Sequence, residues 1–239
     1  MKKLIAESIF IFASILGSLW VDDYRENFNE ETELNNSIIT LANEIESNIE
    51  YSKEHLFQLE NMLFMTEYML DNFKTYTIKD LRAVHDNNPF VHRFSSENKV
   101  IYIKKYYSFI DRNFFLWSNA WEPDNIFFKS LLNSGELLKI KDKLLIKEIE
   151  SIYTKQEERV SGFYNLRNTI TQSTFAWYVE KSMNQQKTNS PFVNERDREL
   201  EVNLELRRGL ITESIKSVQD YISSLNEVVK IISNNYKKV

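Results

Sequence analysis

The sequence contains no cysteine, and it has little glycine or proline, with 4 Gly and 3 Pro among 239 residues. The lack of cysteine excludes disulfide bonds, thiolate metal sites and a cysteine nucleophile. Average usage would supply roughly 17 glycines, and so few turn-forming residues argue against sandwiches, barrels and glycine-rich phosphate-binding loops. The apolar fraction of 42% is high enough for a folded core. Together these values predict an all-α protein.

The chain also lacks an excess of basic residues. The formal charge of −5 argues against broad nucleic-acid binding, which requires a basic surface. Acidic residues are numerous, so we interpret paired carboxylates as solvated helix faces, and we interpret mixed-charge stretches such as Arg207–Arg208 as surface. We therefore expect no nucleic-acid partner.

Recognised catalytic motifs are missing, including G-x-S-x-G, H-E-x-x-H, the P-loop and G-x-G-x-x-G. The histidines are His55, His85 and His92. The last two, with Asp86, would make a weak metal site, but their spacing with Pro89 between them is not a recognised ligand pattern. Ordinary loop histidines are the favoured interpretation. The sequence thus predicts no catalytic residue, no cofactor and no bound metal.

One long hydrophobic run is present, at residues 4–21, directly after Lys2 and Lys3. As a helix it would extend about 27 Å, close to the roughly 30 Å hydrocarbon core of a bilayer. Trp20 and Tyr24 lie at its far end, where aromatic side chains favour the lipid interface. The run predicts an uncleaved transmembrane anchor with a cytoplasmic N-terminus. A cleaved signal peptide and a buried helix of a soluble protein are the alternatives.

One face of this run carries polar and small side chains. Glu7 lies about 6 Å inside Lys3 along the helix, where a carboxyl group is costly and is often paired. Small residues let two helices approach closely in lipid. The face predicts a surface for self-association or for a partner helix, unless Glu7 only extends to the headgroups and the small residues are incidental. Its members are Glu7, Ile11, Ala13, Ser14, Gly17 and Ser18.

After the anchor, apolar residues recur at steps of three, four and seven. From Leu34 to Leu70 they predict one long amphipathic helix, and no Pro or Gly separates it from the anchor. Such a stripe must be buried, either within one domain, which we favour, or in a coiled-coil dimer. The simplest division is an anchor at residues 1–25 and one helical, bundle-like domain at residues 26–239.

Local signals divide the middle of the chain. Thr77–Asp80 is expected to begin a short helix that ends before Pro89. Residues 99–110 are ambiguous, and we assign them to a helix because no partner strand is evident. A dense group of aromatic residues then follows, and we expect it to build core rather than a ligand cage. Its members are Phe114, Phe115, Trp117, Trp121, Phe127 and Phe128.

The last half of the chain also contains helix signals. Pro123 is well placed to begin a helix that Ser134–Gly135 ends. Asp142 is a candidate N-cap for a helix that continues past Tyr153. Residues 184–194 predict a loop, and a final long helix follows it.

Two segments resemble a family of bacterial membrane-anchored proteins whose domain has no assigned function. In the first, Glu7 opens the apolar run and Glu26 closes the polar stretch after it. Four positions depart from the family pattern: Ser14 replaces the usual glycine, Asp22–Asp23 an asparagine pair, and Tyr24 a tryptophan.

The second segment spans residues 134–145, which resemble the family's central Ser-Gly…Ile-x-Asp…Leu stretch, and Tyr153 follows it. The resemblance implies a single-pass protein of the bacterial inner (cell) membrane, with a helical domain on the periplasmic or extracytoplasmic side. It implies no catalytic residues.

These patterns predict a non-enzymatic, membrane-tethered helical module, which contacts the bilayer through residues 4–21 and binds a protein partner or a second copy outside the cytoplasm. An alternative is an accessory subunit of a channel, transporter or ion-driven complex that uses Glu7 and the small-residue face. An enzyme with a site assembled from distant helices is the third hypothesis.

Overall fold

The computed structural model describes most of the chain as helix. Its described backbone covers residues 2–75, 78–90, 92–94, 100–102, 110–117, 120–183 and 197–236. Within these ranges the side chains are not described at residues 2–15, 22–23, 27, 78–79, 82, 92–94, 100, 110–111, 181–183 and 197. The predicted loop at residues 184–194 lies outside the described residues.

Seven α-helices and one short hairpin make up the described regular structure, apart from two irregular helical turns. The prediction that the protein is mainly helical is therefore confirmed. The elements are α1 (Lys2–Asp71), α2 (Ile78–Asn87), β1 (His92–Phe94), β2 (Val100–Tyr102), α3 (Ile110–Phe115), α4 (Ile126–Ser134), a 3₁₀ turn (Glu136–Lys139), α5 (Lys143–Ser151), a π turn (Ile152–Gln156), α6 (Glu157–Met183) and α7 (Asp197–Asn235).

Helix α1 is continuous over 70 residues, as the uninterrupted sequence predicted. At 1.5 Å per residue it extends about 105 Å. Its apolar stripe becomes buried from Ile38 onward, mainly against α7, so the stripe is covered within one chain. The fully buried members are Ile38, Leu41, Ile45, Leu59, Met62, Met65 and Met69.

Helix α7 forms the centre of the bundle, because it packs along both α1 and α6. Its buried apolar side chains recur at steps of three, four and seven residues, which confirms the predicted final helix. They are Leu200, Leu204, Ile211, Val218, Tyr221, Leu225, Val228 and Ile232. The aromatic group between α3 and α4 also faces this interior: every member is buried except Phe127, which is partly buried, so its assignment to core is confirmed.

The helix predicted at residues 99–110 is wrong in its first part. Val100–Tyr102 forms β2, which pairs antiparallel with β1 and places Tyr102 opposite His92. β-branched and aromatic residues suit a pleated strand, but each strand has only three residues. So short a partner carries no alternating pattern for sequence analysis to detect. Residues 103–109 lie outside the described residues, and α3 begins at Ile110.

Of the helix boundaries predicted around α4 and α5, two are correct and one is not. Gly135 ends α4 in the left-handed conformation at φ 75°, which only glycine adopts readily. The Asp142 carboxylate caps α5 by accepting from the amides of Leu144 (2.9 Å) and Leu145 (3.1 Å). The helix predicted to begin at Pro123 begins at Ile126 instead.

The predicted anchor falls in the first turns of α1. The backbone is helical there, but the side chains of residues 4–15 lie outside the described set. Among the residues that the structure describes, no helix is both long enough and apolar enough to cross a membrane. The anchor at residues 4–21 therefore stays a prediction.

Candidate functional site

The amino-terminal arm of α1, defined here as residues 16–33, precedes the buried part of the helix. Leu16, Trp20, Tyr24 and Phe28 recur on it every four residues, so they form one apolar stripe. All four are exposed, Trp20 by 72%, and the rings of Trp20 and Tyr24 lie 6.4 Å apart. A contiguous exposed apolar patch of this kind marks a surface for a partner or a membrane. We call these four residues the arm stripe.

The small-residue face predicted from the sequence lies next to the arm stripe. Gly17 and Ser18 are exposed, and a Cβ added to Gly17 would meet no atom within 4 Å. The side chains of the other members lie outside the described residues, and the helical backbone alone places them on α1. They are Glu7, Ile11, Ala13 and Ser14.

The arm meets the rest of the domain at the 3₁₀ turn. A groove of about 410 Å³ lies between Tyr24 and Phe28 on one side and Lys139 and Lys141 on the other. The Lys141 ammonium and the Glu31 carboxylate are 2.7 Å apart, which lowers the pKa of Glu31 and raises that of Lys141. Both groups are exposed, so this ion pair contributes little to the stability of the fold.

Further along α1, three side chains hold the backbone that leads into α4. The Glu44 carboxylate accepts from the amides of Phe127 (2.6 Å) and Phe128 (3.2 Å). Asn48 exchanges two 2.7 Å hydrogen bonds with the backbone of Asp124. The hydroxyl of Tyr51 accepts from the amide of Glu122 at 2.8 Å.

The hydrogen bonds from Glu44 and Asn48 explain why α4 begins at Ile126. The first amides of a helix have no partner within it, and Asn125, in the N-cap position, makes no capping bond with its side chain. Glu44 supplies the missing acceptors from a distant part of the chain. Its carboxylate also accepts from the Tyr153 hydroxyl at 2.8 Å, so it joins α1, α4 and the π turn.

Removal of the Glu44 carboxylate is expected to destabilise this junction. Glu44→Ala leaves two amides and a phenol without their acceptor, at a cost of roughly 2–4 kcal/mol in the free energy of unfolding. Tyr153→Phe removes only one of these bonds and should cost about 1 kcal/mol. Urea unfolding followed by circular dichroism measures both.

The matched control is Glu46→Ala, because Glu46 is an exposed carboxylate on the same helix. It should change the free energy of unfolding by no more than about 0.5 kcal/mol. Equal losses for Glu44→Ala and Glu46→Ala would contradict the capping role.

The bundle interior contains two arginines that sequence analysis did not detect. Arg207 is 1% exposed, so its assignment to a charged surface is wrong. It donates to the carbonyl of Phe114 at 2.8 Å and to the Met62 sulfur at 3.3 Å. Its guanidinium carbon lies 4.8 Å from the centre of the Phe114 ring and 5.5 Å from that of Trp117. The signal was its spacing, because Arg207 is in phase with the buried Leu204 and Ile211.

These contacts assign Arg207 to the C-terminal end of α3. The last carbonyls of a helix lack partners and carry partial negative charge, which a cation stabilises. Thr174 donates to the carbonyl of Phe115 at 3.0 Å, and Thr171 donates to that of Trp117 at 2.8 Å. Arg207 and Thr174 thus cap α3, and Thr171 holds the segment that follows it. This is a structural use of a buried charge, and it leaves the arm as the candidate site.

The second arginine lies close to a buried histidine. Arg167 donates to the Ser214 hydroxyl, and its guanidinium carbon is 5.7 Å from the centre of the Trp117 ring. Burial lowers the pKa of His55 to about 3, and the charge of Arg167 adds to that shift. Burial also lowers the pKa of Arg167 to about 10 and that of Arg207 to about 9. At neutral pH both arginines are charged and His55 is neutral.

The other histidines differ from the loop interpretation. His85 is on α2 and is buried, with its ring 4.7 Å from that of Phe90, edge to face. His92 is on β1, and its side chain lies outside the described residues. Over the described part of the chain, no group of three or more His, Cys, Asp or Glu is placed to hold a metal ion.

Comparison of the chain with protein-family models, with curated proteins and with solved structures finds no match. The resemblance of residues 7–26 and 134–145 to a family of bacterial membrane-anchored proteins therefore remains a prediction.

Proposed function

We propose that this protein is a non-enzymatic helical module that is tethered to a membrane and binds a partner protein, or a second copy, outside the cytoplasm. The observation that carries the proposal is the arm stripe, in which Leu16, Trp20, Tyr24 and Phe28 are all exposed before the bundle begins to bury α1. Four such side chains in water cost several kcal/mol of hydrophobic free energy. Lipid or another protein would remove that cost.

The apolar run that overlaps the start of the arm stripe favours lipid as the environment of the first turns. Residues 4–21 are almost entirely apolar, and Lys2 and Lys3 precede them, so the positive-inside rule orients the anchor with its start in the cytoplasm. Trp20 and Tyr24 would then lie at the opposite interface. The continuous α1 would lead directly from the bilayer into the bundle.

A groove between helices supports the partner-binding part of the proposal. It has a volume of about 590 Å³ and includes Ile170 of α6 with Leu206 and Leu210 of α7. Leu206 is exposed, as are the neighbouring positions Val202 and Leu166. Charged side chains, with Gly209 and Thr212, line the remainder of the groove, so an apolar centre is combined with a polar rim as in many protein interfaces. Its lining residues also include Glu67, Glu205, Arg208 and Glu213.

The tether is tested by localisation of the full chain. A compartment-specific reporter fused after Val239 should be active only outside the cytoplasm, and the protein should stay in the membrane pellet after alkaline carbonate. Phe12→Arg places a charge near the middle of the run, which costs about 3 kcal/mol of insertion free energy, and should release the protein. Phe64→Arg is the matched control, because Phe64 is an exposed phenylalanine of the same helix. Intact protein in the supernatant after gentle lysis would overturn the proposal.

A second candidate is an accessory subunit of a membrane channel, transporter or ion-driven complex, which would use the small-residue face whose described members, Gly17 and Ser18, are exposed. Since no atom lies near the Cβ position of Gly17, Gly17→Ile fits the chain itself but obstructs a close partner helix. Gly17→Ile, Glu7→Gln and Glu7→Ala should each reduce co-purification of a membrane partner in mild detergent. Unchanged recovery of that partner with all three variants would exclude this candidate.

A further inference from the structure

The groove of about 590 Å³ lies on the outer surface of three packed helices. We call it the α7 groove, because α7 packs against both α1 and α6 and supplies most of the lining. Glu67 comes from α1 and Ile170 from α6, whereas Leu206, Gly209 and Leu210 belong to α7. Gly209 is exposed and has no side chain, so the backbone of α7 is accessible within the groove.

An apolar stripe runs along α7 into this groove. Val202, Leu206 and Leu210 follow each other at steps of four residues, so they lie on one side of the helix over about 12 Å. Val202 is 53% exposed and Leu206 51%, and Ile170 of α6 is only partly buried. Apolar side chains that stay this exposed beside a groove mark a surface for a partner. A stripe of this period and length suits an amphipathic helix, whose apolar residues enter a groove at i, i+4 and i+7.

The charged lining of the α7 groove is acidic. It consists of the carboxylates of Glu67, Glu205 and Glu213 and the guanidinium of Arg208, a net formal charge of −2. Arg208 pairs with Glu205, and Lys216 pairs with Glu213 from outside the lining. Both pairs are exposed and lie within one helix, so they are weak. Among the described residues Glu67 has no ion pair, and the groove keeps an excess of negative charge.

The excess of negative charge continues around the groove. Within one helical turn of its lining, the exposed charged residues are Asp71 on α1 and Glu201 and Lys216 on α7, and with them the local formal charge is −3. Arg207 is close in sequence but is buried two positions before Gly209, on the opposite face of α7, where it caps α3. A basic partner is therefore complementary to this surface.

The distance from the predicted anchor excludes the bilayer as the occupant. Along the continuous α1, Glu67 is about 69 Å beyond Val21, where the apolar run ends. That distance is about eight Debye lengths at physiological salt. Anionic headgroups would also repel the acidic lining. The α7 groove is therefore a surface for a protein and not for lipid.

We propose that the α7 groove binds a basic amphipathic helix of a partner protein. The apolar side chains of that helix pack on Leu206 and Leu210, and its lysine or arginine side chains pair with Glu67 and Glu213. The inference rests on the proposed function, because it names the chemistry of the partner that the tethered module binds. Charge complementarity favours such a helix over a second copy of this chain, which has a net charge of −5 and an equally acidic groove.

A display library of amphipathic helices tests the charge of the occupant. Each peptide has about 18 residues, or about 27 Å as a helix, with a constant leucine stripe and flanking positions randomised among Lys, Gln and Glu. The library is selected on the full chain in mild detergent. We expect the retained peptides to carry basic flanks, with an enrichment of about tenfold over acidic flanks. Equal retention of basic and acidic flanks, or no retained peptide, would overturn the inference.

Substitution of Gly209 tests the position. Fluorescence anisotropy with one retained basic peptide measures the Kd, and Gly209→Leu should weaken binding at least about tenfold because its side chain fills the groove. Leucine is a better helix former than glycine and a Cβ at this position meets no atom within 4 Å, so the fold should be kept. The matched control is Gly162→Leu, at an exposed glycine of α6 whose Cβ position is equally open and which is not part of the lining. Equal Kd values for the two variants would contradict the assignment to the groove.

Neutralisation of the lining tests the pairing of charges. Glu67→Gln with Glu213→Gln should weaken binding of the same peptide about threefold per carboxylate, and high salt should reduce the difference from the wild type. Glu46→Gln with Glu227→Gln makes the same change in charge at exposed positions outside the lining of the α7 groove and should leave the Kd unchanged. Equal losses for the two double variants would show attraction to the net charge of the chain instead of pairing in the groove.

The outcomes separate this inference from the proposed tether, which the membrane pellet reports on the same preparations. If the chain stays in the pellet but its peptide binding is unaffected by Gly209→Leu, the inference fails while the tether stands. If the chain is in the supernatant and still binds basic peptides through the groove, the tether fails and the inference stands. If Gly209→Leu converts a dimer of the chain into a monomer in light scattering, a second copy occupies the groove and the inference is overturned.

Discussion

A fall in pH from 7 to 4 is expected to lower the free energy of unfolding by about 3 kcal/mol through His55 alone. His55 lies on α1, faces the interior of the bundle and is 3% exposed. Burial, helped by the nearby positive charge of Arg167, lowers its pKa to about 3, well below the ordinary histidine value of 6.5. Over this range the unfolded chain binds a proton that the folded protein excludes.

The direction of the effect follows from that difference. The stabilisation is complete above about pH 6.5 and is lost progressively as the pH falls toward about 3. Each unit of pH between these values removes about 1.4 kcal/mol. Burial also lowers the pKa of His85, so its contribution has the same sign. Urea unfolding at pH 7, 5.5 and 4, in mild detergent for the full chain, gives the slope.

His55→Gln is the comparison that isolates the histidine, because carboxylates titrate over the same range in both proteins. Between pH 6.5 and 4, the free energy of unfolding of the variant should fall less steeply with decreasing pH than that of the wild type. The double variant His55→Gln with His85→Gln should show a still weaker dependence on pH. Parallel slopes for the wild type and His55→Gln would show that folding does not lower the pKa of His55, contrary to its burial beside Arg167.

Most helices of this fold follow from signals within a few residues of each other. The helical period of the apolar residues from Leu34 to Leu70 is enough to predict which of them are buried. Gly135 and Asp142 mark helix ends through local preferences of glycine and aspartate that involve no distant residue. The four-residue period of the arm stripe is equally visible in the sequence, but of its members only Trp20 and Tyr24 were predicted to lie at an interface. These are the features that the sequence predicts correctly or leaves as testable proposals.

The errors occur where contacts between distant residues decide the structure. Pro123 is suited to begin a helix, but Asn48 binds the backbone of Asp124 and Glu44 supplies the first-turn acceptors, so α4 begins three residues later. Both side chains come from α1, more than seventy residues away in sequence. A local preference cannot anticipate such a partner.

Arg207 illustrates a mixed case. The helical period already places Arg207 on the buried face of α7, between Leu204 and Ile211. Only the usual exposure of arginine argued against its burial. The hydrogen-bond partner of Arg207 could not be predicted from the sequence, because the carbonyl of Phe114 belongs to a six-residue helix more than ninety residues earlier. The capping contact therefore required the structure.

Arg207→Ala is expected to lower the free energy of unfolding by about 3–5 kcal/mol. The substitution leaves a cavity at the centre of the bundle, removes the donor to the carbonyl of Phe114 and removes the cation from two aromatic faces. Because α3 is only six residues long, the loss of a cap also weakens the turn that carries Phe114 and Phe115. Urea unfolding at pH 7, followed by circular dichroism and tryptophan fluorescence, measures the change.

Two further variants separate volume from charge and from position. Arg207→Met fills most of the space and avoids burial of a charge, so its cost should be only about 1–2 kcal/mol, mainly from the unpaired carbonyl. Arg208→Ala is the neighbouring control, because Arg208 pairs with Glu205 at the partly exposed surface of α7 and should cost less than about 1 kcal/mol. If Arg207→Ala and Arg208→Ala were equally mild, Arg207 would not be the buried cap of α3; if Arg207→Met were as costly as Arg207→Ala, the charge itself, rather than the volume of the side chain, would hold the helix end.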